Sequence, residues 1–166
     1  GYFDQALKGR SGFHVSGGLQ DRVESTLQFS FQPAVDGEDL RLTLDRNLPV
    51  FRGDDLRLRH IFLNLLSNAI RFTHQGGAVD LFARVADDGG VEFRIRDTGS
   101  GIAADQIDPI LAPFGQADSA LAREHQGTGL GLPLVKALVE LHGGHMILES
   151  DPEAGSNISL CFPPER

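Results

Sequence analysis

The run from Asp54 to Thr73 contains neither glycine nor proline, in a chain where 20 of 166 residues are glycine. At about 100° per residue, Leu58, Ile61, Phe62, Leu65, Leu66, Ala69 and Phe72 share one broad face, which predicts an amphipathic helix that must bury that face against another layer. Asp54 is its expected N-cap, and His74, Gln75, Gly76 and Gly77 close it. The opposite face is unusual. His60, Asn64, Asn68 and Arg71 fall within about 80° of one another, where a merely solvated face carries Glu, Lys and Gln, because asparagine is a mediocre helix former. Two asparagines one turn apart, then an arginine, offer neutral oxygens to a hard cation and a guanidinium fork to phosphate. An ordinary polar face is the competing reading of this helix taken alone.

Around this helix the chain reads as interleaved helices and locally paired strands. Residues 1–12 read as a linker or the end of a preceding element, and the domain proper, 13–166, starts near Phe13. Val23, Leu27 and Phe31 recur at helical spacing, which predicts a helix over 20–31, ended by Pro33. Leu40, Leu42 and Leu44 alternate with polar residues as a strand. Val79 to Val85 and Val91 to Arg96 form an expected hairpin across Asp87, Asp88, Gly89 and Gly90, and a second hairpin joins His145–Ser150 to Ser156–Phe162. A glycine-containing loop region is expected from Asp97 to about Gly129, then a helix from about Gly131 to His142 with Leu134, Val135, Leu138 and Leu141 on its core side. The class is α+β: a two-layer sandwich with about three helices on one face of a mixed, mostly antiparallel sheet.

Composition removes several functions. With 23 acidic and 15 basic residues the formal charge is −8, the wrong sign for a sequence-independent nucleic-acid binder. The single cysteine, Cys161, supports neither a disulfide framework nor a zinc cluster. No apolar run approaches the roughly 20 residues that span a bilayer. Only Lys8 and Lys136 are lysines, so phosphate contacts must lean on arginine.

Two glycine clusters are placed to meet a ligand. Asp97-Thr98-Gly99-Ser100-Gly101-Ile102 begins where a strand runs out, presenting a carboxylate beside backbone that can approach a ligand closely. A buried carboxylate there suits an exocyclic amine such as adenine's, although Asp-Thr-Gly also opens ordinary turns. Gly127-Thr128-Gly129-Leu130-Gly131-Leu132 precedes a helix, whose free N–H groups make an anion site. It is neither a Walker A loop nor a dinucleotide fingerprint, because both need different spacing and the first needs a lysine.

In order, Asn64 to Thr73, Asp97 to Ile102, Pro113-Phe114-Gly115-Gln116-Ala117-Asp118 and Gly127 to Leu132 resemble the N, G1, F and G2 boxes of the catalytic ATP-binding domain of two-component sensor histidine kinases. Glu153-Ala154-Gly155-Ser156-Asn157-Ile158 is a weaker final match, and the likeness covers about 13–164. The F-box form is most like that of hybrid or phosphorelay kinases. The resemblance implies the Bergerat (GHKL) fold shared with gyrase, Hsp90 and MutL, with ATP and Mg²⁺ as cofactors. It makes Asn64 and Asn68 the metal and phosphate residues and Arg71 a further phosphate contact in a position often held by lysine. Asp97 would read the adenine amine, Gly99, Gly101 and Ile102 would shape its pocket, and Gly127, Thr128, Gly129, Leu130, Gly131 and Leu132 would wrap the phosphates. The stretch from Ala103 to Gln126 would be a lid anchored by Phe114. Leu111, Ala112, Gln126 and Pro133 depart from the usual residues at their positions, and Pro133 is harmless near a helix start.

Where the gyrase, Hsp90 and MutL branches carry a water-activating glutamate, this chain has Asn64, which favours transfer to a protein acceptor over hydrolysis. None of His14, His60, His74, His125, His142 and His145 has the surroundings of a phosphoacceptor. All six read as surface or packing residues, with His60 and His125 near enough to a nucleotide to touch it. The resemblance thus implies the catalytic half of a cytoplasmic kinase, partnered by a dimerisation and phosphoacceptor domain and by a downstream receiver domain, homodimeric as a whole, with membrane anchoring left to segments outside the chain. The alternative is a nucleotide-binding pseudokinase that docks on a partner without transferring phosphate.

Overall fold

The computed structural model describes residues 13–19, 25–31, 39–45, 48–49, 53–112 and 131–164. In chain order the elements are β1 (Phe13–Leu19), β2 (Ser25–Phe31), β3 (Asp39–Leu44), α1 (Asp55–Phe72), β4 (Ala78–Val85), β5 (Val91–Asp97), α2 (Ala104–Leu111), α3 (Gly131–Leu141), β6 (His145–Asp151) and β7 (Gly155–Phe162). β3 to β7 form one sheet in the order β3-β4-β5-β7-β6, and β1 and β2 form a separate antiparallel pair.

The sheet is mixed. β3 runs parallel to β4, with α1 as the crossover between them, and every other neighbour is antiparallel. The two expected hairpins, β4–β5 and β6–β7, are both present. The β3–β4 and β5–β7 pairings are not local, so the expectation of purely local pairing is corrected. β7 lies between β5 and the edge strand β6.

Strand alternation places the core on one face. Val79, Leu81 and Ala83 of β4, Phe93 and Ile95 of β5, and Ile158, Leu160 and Phe162 of β7 are buried at every second position. Against them α1 buries Leu58, Ile61, Phe62, Leu65, Leu66 and Ala69. Phe62 meets Phe93 edge-on at 4.9 Å between centroids, and Phe93 meets Phe162 at 6.1 Å. Asp54 caps α1, its carboxylate accepting from the Arg57 N–H at 2.9 Å.

Several expectations need correction. Ser25–Phe31 is a strand, so the helix expected over 20–31 does not form there: Leu27, Phe29 and Phe31 repeat with period two, which the helical pattern had to ignore. Phe72 is 36% exposed rather than core, because it lies in the last turn of α1. In α3 the buried residues are Val135 and Val139, while Leu134 and Leu141 are 46% and 68% exposed. The region expected to be loop from Asp97 to Gly129 contains α2, an eight-residue helix around Pro109 with no side-chain N-cap and no buried residue. It packs on α3 and β6.

Candidate functional site

The helix face that carries His60, Asn64, Asn68 and Arg71 points away from the core: His60 and Arg71 are exposed, and both asparagines are half-buried. The Asn64 amide donates to the His60 carbonyl at 3.0 Å. Its Oδ1 is thereby turned toward the first residue of α3, where a Cβ built on Gly131 would stand 3.6 Å from that oxygen and 3.4 Å from the Asn68 Nδ2. The structure thus brings Asn64, Asn68 and Gly131 together at a helix N-terminus, where unpaired N–H groups and the helix dipole favour an anion. Arg71 stands one turn beyond Asn68, with its guanidinium carbon 5.9 Å from the Phe72 ring centroid. Leu132 and Pro133, half-buried in the first turn of α3, continue from Gly131.

The other end of α1 builds a second wall. Four residues beyond Asn68, or about 6 Å along the helix, the Phe72 carbonyl accepts from the Ser100 N–H at 3.2 Å. Asp97 ends β5 and is 8% exposed. Its Oδ1 accepts from the N–H groups of Gly99 at 2.9 Å and Ser156 at 3.3 Å. Burial nevertheless outweighs those two bonds and raises the carboxyl above its ordinary pKa. Thr98 is tied to β4 through both its N–H and its hydroxyl, at 3.0 and 2.9 Å from Ala78.

Glycine is required once on each side of the seam between this loop and the β6–β7 turn. Gly101 has φ +67°, and a Cβ there would collide with the Asp151 carbonyl; Gly155 has φ +87°, and a Cβ there would collide with the Asp97 carbonyl. The loop after β5 and the turn between β6 and β7 therefore interlock backbone to backbone. The Glu153 N–H donates to the Ser100 carbonyl at 2.8 Å across the same seam. Ile102 is held by its N–H, 2.8 Å from the Ser150 hydroxyl.

Of the site residues expected from sequence, Asn64, Asn68 and Gly131 form one cluster and Asp97, Gly99, Gly101 and Ile102 a second, with α1 running between them. Phe114, Gly127, Thr128, Gly129 and Leu130 lie outside the described residues, as does His125. The stretch expected to be a lid from Ala103 is helical over 104–111. Ser156 lies within the weak final match Glu153–Ile158 but has no role assigned there, and Ser150 has no sequence signal of its own, because serines in an alternating strand look ordinary. The available signal was their direct pairing across a hairpin that ends at Gly155. His142 has a structural job: its Nε2 accepts from the Asp54 N–H at 3.0 Å while its Nδ1 lies 2.7 Å from the Leu138 carbonyl, joining the start of α1 to the end of α3.

Residues 53–166 match the model of the histidine kinase-, DNA gyrase B-, and HSP90-like ATPase family. The circadian input-output histidine kinase CikA of Synechococcus elongatus is 44% identical over 127 residues, covering 76% of this chain and 17% of that protein. The cell-division control histidine kinase PdhS of Brucella canis is 38% identical over 135 residues, covering 76% and 13%. The chain therefore spans less than a fifth of these relatives. Among solved structures, full-length ShkA in complex with AMPPNP superposes with a TM-score of 0.66 at 34% identity, covering 77% of this chain and 26% of that one. The mycobacterial sensor histidine kinase MprB gives 0.64 at 28%, covering 77% and 84%. A helix with two asparagines over a helix N-terminus, a buried aspartate at a strand end and a family match over most of the chain lead to one conclusion: the chain belongs to the histidine kinase-, DNA gyrase B- and HSP90-like ATPases, as an ATP-binding catalytic domain of the histidine kinase type.

Proposed function

We propose that this domain holds ATP with the base at Asp97 and the phosphates at the α3 N-terminus, and passes the γ-phosphoryl group to a histidine on a phosphoacceptor domain outside this chain. The observation that carries the proposal is the placement of Gly131, the first residue of α3, against both Asn64 and Asn68, while the far end of the same α1 contacts the Asp97 loop. ATP then lies along α1, with the base at the helix end and the phosphates at its middle. The complex of ShkA with AMPPNP supports a nucleotide of this kind.

Among the described residues no group of three His, Cys, Asp or Glu side chains forms a metal cage. Two amide oxygens beside a phosphate site suit Mg²⁺, which takes few protein ligands and relies on the nucleotide's own oxygens. Asn64 and Asn68 are the residues that would hold it. When bound, the ion supplies charge neutralisation between the phosphates. The chain's own contribution is positioning: Asn64, Asn68, Arg71 and the α3 N–H groups fix the triphosphate, and Asp97 fixes the base. Because Asn64 is neutral, no side chain on this turn takes a proton from water, which supports transfer rather than hydrolysis.

The partners that follow are a dimerisation and phosphoacceptor domain, a receiver domain downstream, and a second copy in the intact protein. The setting proposed is the cytoplasm, with any membrane anchor outside this chain. No helix among the described residues is long and apolar enough to cross a membrane. The test is titration with Mg-ATP, followed by γ-labelled ATP and an added histidine-bearing phosphoacceptor domain from the same protein. Binding with label on the acceptor is expected. Binding without transfer to a competent acceptor overturns the kinase reading in favour of a docking pseudokinase.

A further inference from the structure

The sheet face that looks toward α1 carries a row of three polar side chains at one end. Asp97 on β5 pairs with Ser156 on β7, and Ser156 pairs with Ser150 on the edge strand β6. Deeper along the same face the row is replaced by core residues, Ile95, Ile158 and Leu148. The Ser150 hydroxyl lies 2.9 Å from the Gly155 carbonyl, 2.8 Å from the Ile102 N–H and 2.9 Å from the Ser156 hydroxyl.

Proton counting gives this cluster a direction. A serine hydroxyl has one proton to donate and two lone pairs to accept with. The Gly155 carbonyl can only accept, so Ser150 donates its proton there. The Ile102 N–H can only donate, so it occupies one Ser150 lone pair. The contact between the two hydroxyls must then be a donation from Ser156 to the remaining Ser150 lone pair. Ser156 has now spent its only side-chain proton, and its N–H is directed at the Asp97 Oδ1. Beside Asp97, Ser156 can offer a ligand lone pairs and nothing else.

We propose that Ser150 is a positioning residue that sets base specificity: by taking the Ser156 proton and clamping Ile102, it makes the base pocket a pair of acceptors, Asp97 and Ser156. Such a pocket takes a base with an exocyclic amine and turns away one with an exocyclic oxygen, which would face two acceptors. The inference rests on the nucleotide reading above and deepens it. Without Ser150 the Ser156 hydroxyl is free to turn its proton toward the ligand, so the penalty on an exocyclic oxygen relaxes.

Inosine triphosphate is the matched probe, because it replaces the 6-amino group of ATP by an oxygen. Titration of the whole chain with each nucleotide in the presence of Mg²⁺ should show that Ser150→Ala loses about threefold to tenfold in affinity for ATP, the range of one neutral hydrogen bond, while its weaker affinity for ITP is unchanged or improved. Ser150→Thr, which keeps a hydroxyl at the same place, should restore the ATP preference. A fall of equal size for both nucleotides would show a merely structural serine and overturns the proposal, as does an unaltered ATP affinity. Circular dichroism checks that the variant folds. If it does not, Ser156→Ala, which leaves the Ser150 bonds to Ile102 and Gly155 in place, must show the same selective loss of ATP, and equal losses there overturn the proposal too. Failure of the unsubstituted chain to bind ATP at all is a separate result, and it overturns the nucleotide reading itself together with this one.

Discussion

Asp97 is the residue on which the proposed base recognition turns. Burial raises its pKa while two N–H groups occupy one oxygen, so the second oxygen gains from a donor that restores the lost solvation. Replacing Asp97 with Asn substitutes a donor for part of that acceptor, and ATP affinity should fall by about tenfold to a hundredfold in titration, as for a hydrogen bond to a charged group. The pH dependence has a definite sign. On the proposed reading ATP binds the ionised carboxylate, whereas burial holds the proton of Asp97 to a higher pH than that of an ordinary aspartate. Affinity therefore falls as pH drops through that raised pKa, and Asp97→Asn should lack the inflection that titrations at several pH values reveal for the unsubstituted chain. Asn64, Asn68 and Asp97 stand out in sequence because each breaks a local preference, asparagine inside a helix and a carboxylate at the end of a core-facing strand row. Ser150 does not stand out, since nothing along its own strand distinguishes it from a solvated serine; the role proposed for it exists only through β7.

Among the elements, those carried by strong local patterns were readable and those held by packing were not. The 54–73 helix was legible nearly to the residue, because its cap, its apolar face and its terminal glycines all agree. α2 had no such agreement: it lacks a side-chain cap, carries Pro109 and buries nothing fully, so it depends on α3 and β6 for support. Leu138 packs against the core as expected, but Leu134 and Leu141 of α3 do not, for a related reason. Leu134 and Val135 are one position apart on a helix, and only the docking of α3 on α1 decides which of them faces in. The seam between the loop after β5 and the β6–β7 turn can be tested at its glycines. Gly101→Ala combines a left-handed backbone with a collision against Asp151, so it should destabilise the domain by about 1–3 kcal/mol or more and weaken ATP binding. Gly76→Ala shares the positive φ, +82°, but has open space around it, so it should cost only about 1–2 kcal/mol and spare binding. Thermal unfolding and titration of the two variants side by side separate strain from collision.

At the scale of the molecule the two faces of the sheet do different work. The inner face carries the core and the proposed base site, and the outer face carries charge. On it Glu92, 5% exposed, is held by Arg84 and by Arg94, the latter at 2.7 Å. Burial works against its ionisation, but the hydrogen bonds from Arg94 and Arg84 outweigh that and lower its pKa. A lowered carboxyl pKa adds stability above the unfolded value, and that stability disappears as pH falls through the folded one. Denaturant unfolding followed from neutral pH into the acid range should show this slope, and Glu92→Gln should flatten it while leaving ATP binding at pH 7 intact. The architecture as a class followed from the alternation of patterns. The position of β7 did not, because strand order across a sheet is set by which faces must be covered rather than by any signal within the strand. That position has a consequence in time. β7 is the last of the described strands to leave a ribosome, yet it sits between β5 and β6 and brings Gly155 and Ser156 to Asp97. A nascent chain that has emerged only as far as Asp151 has Asp97 without its neighbour and an edge strand with nothing to pair on, so the base recognition proposed for this corner can arrive only with the final strand.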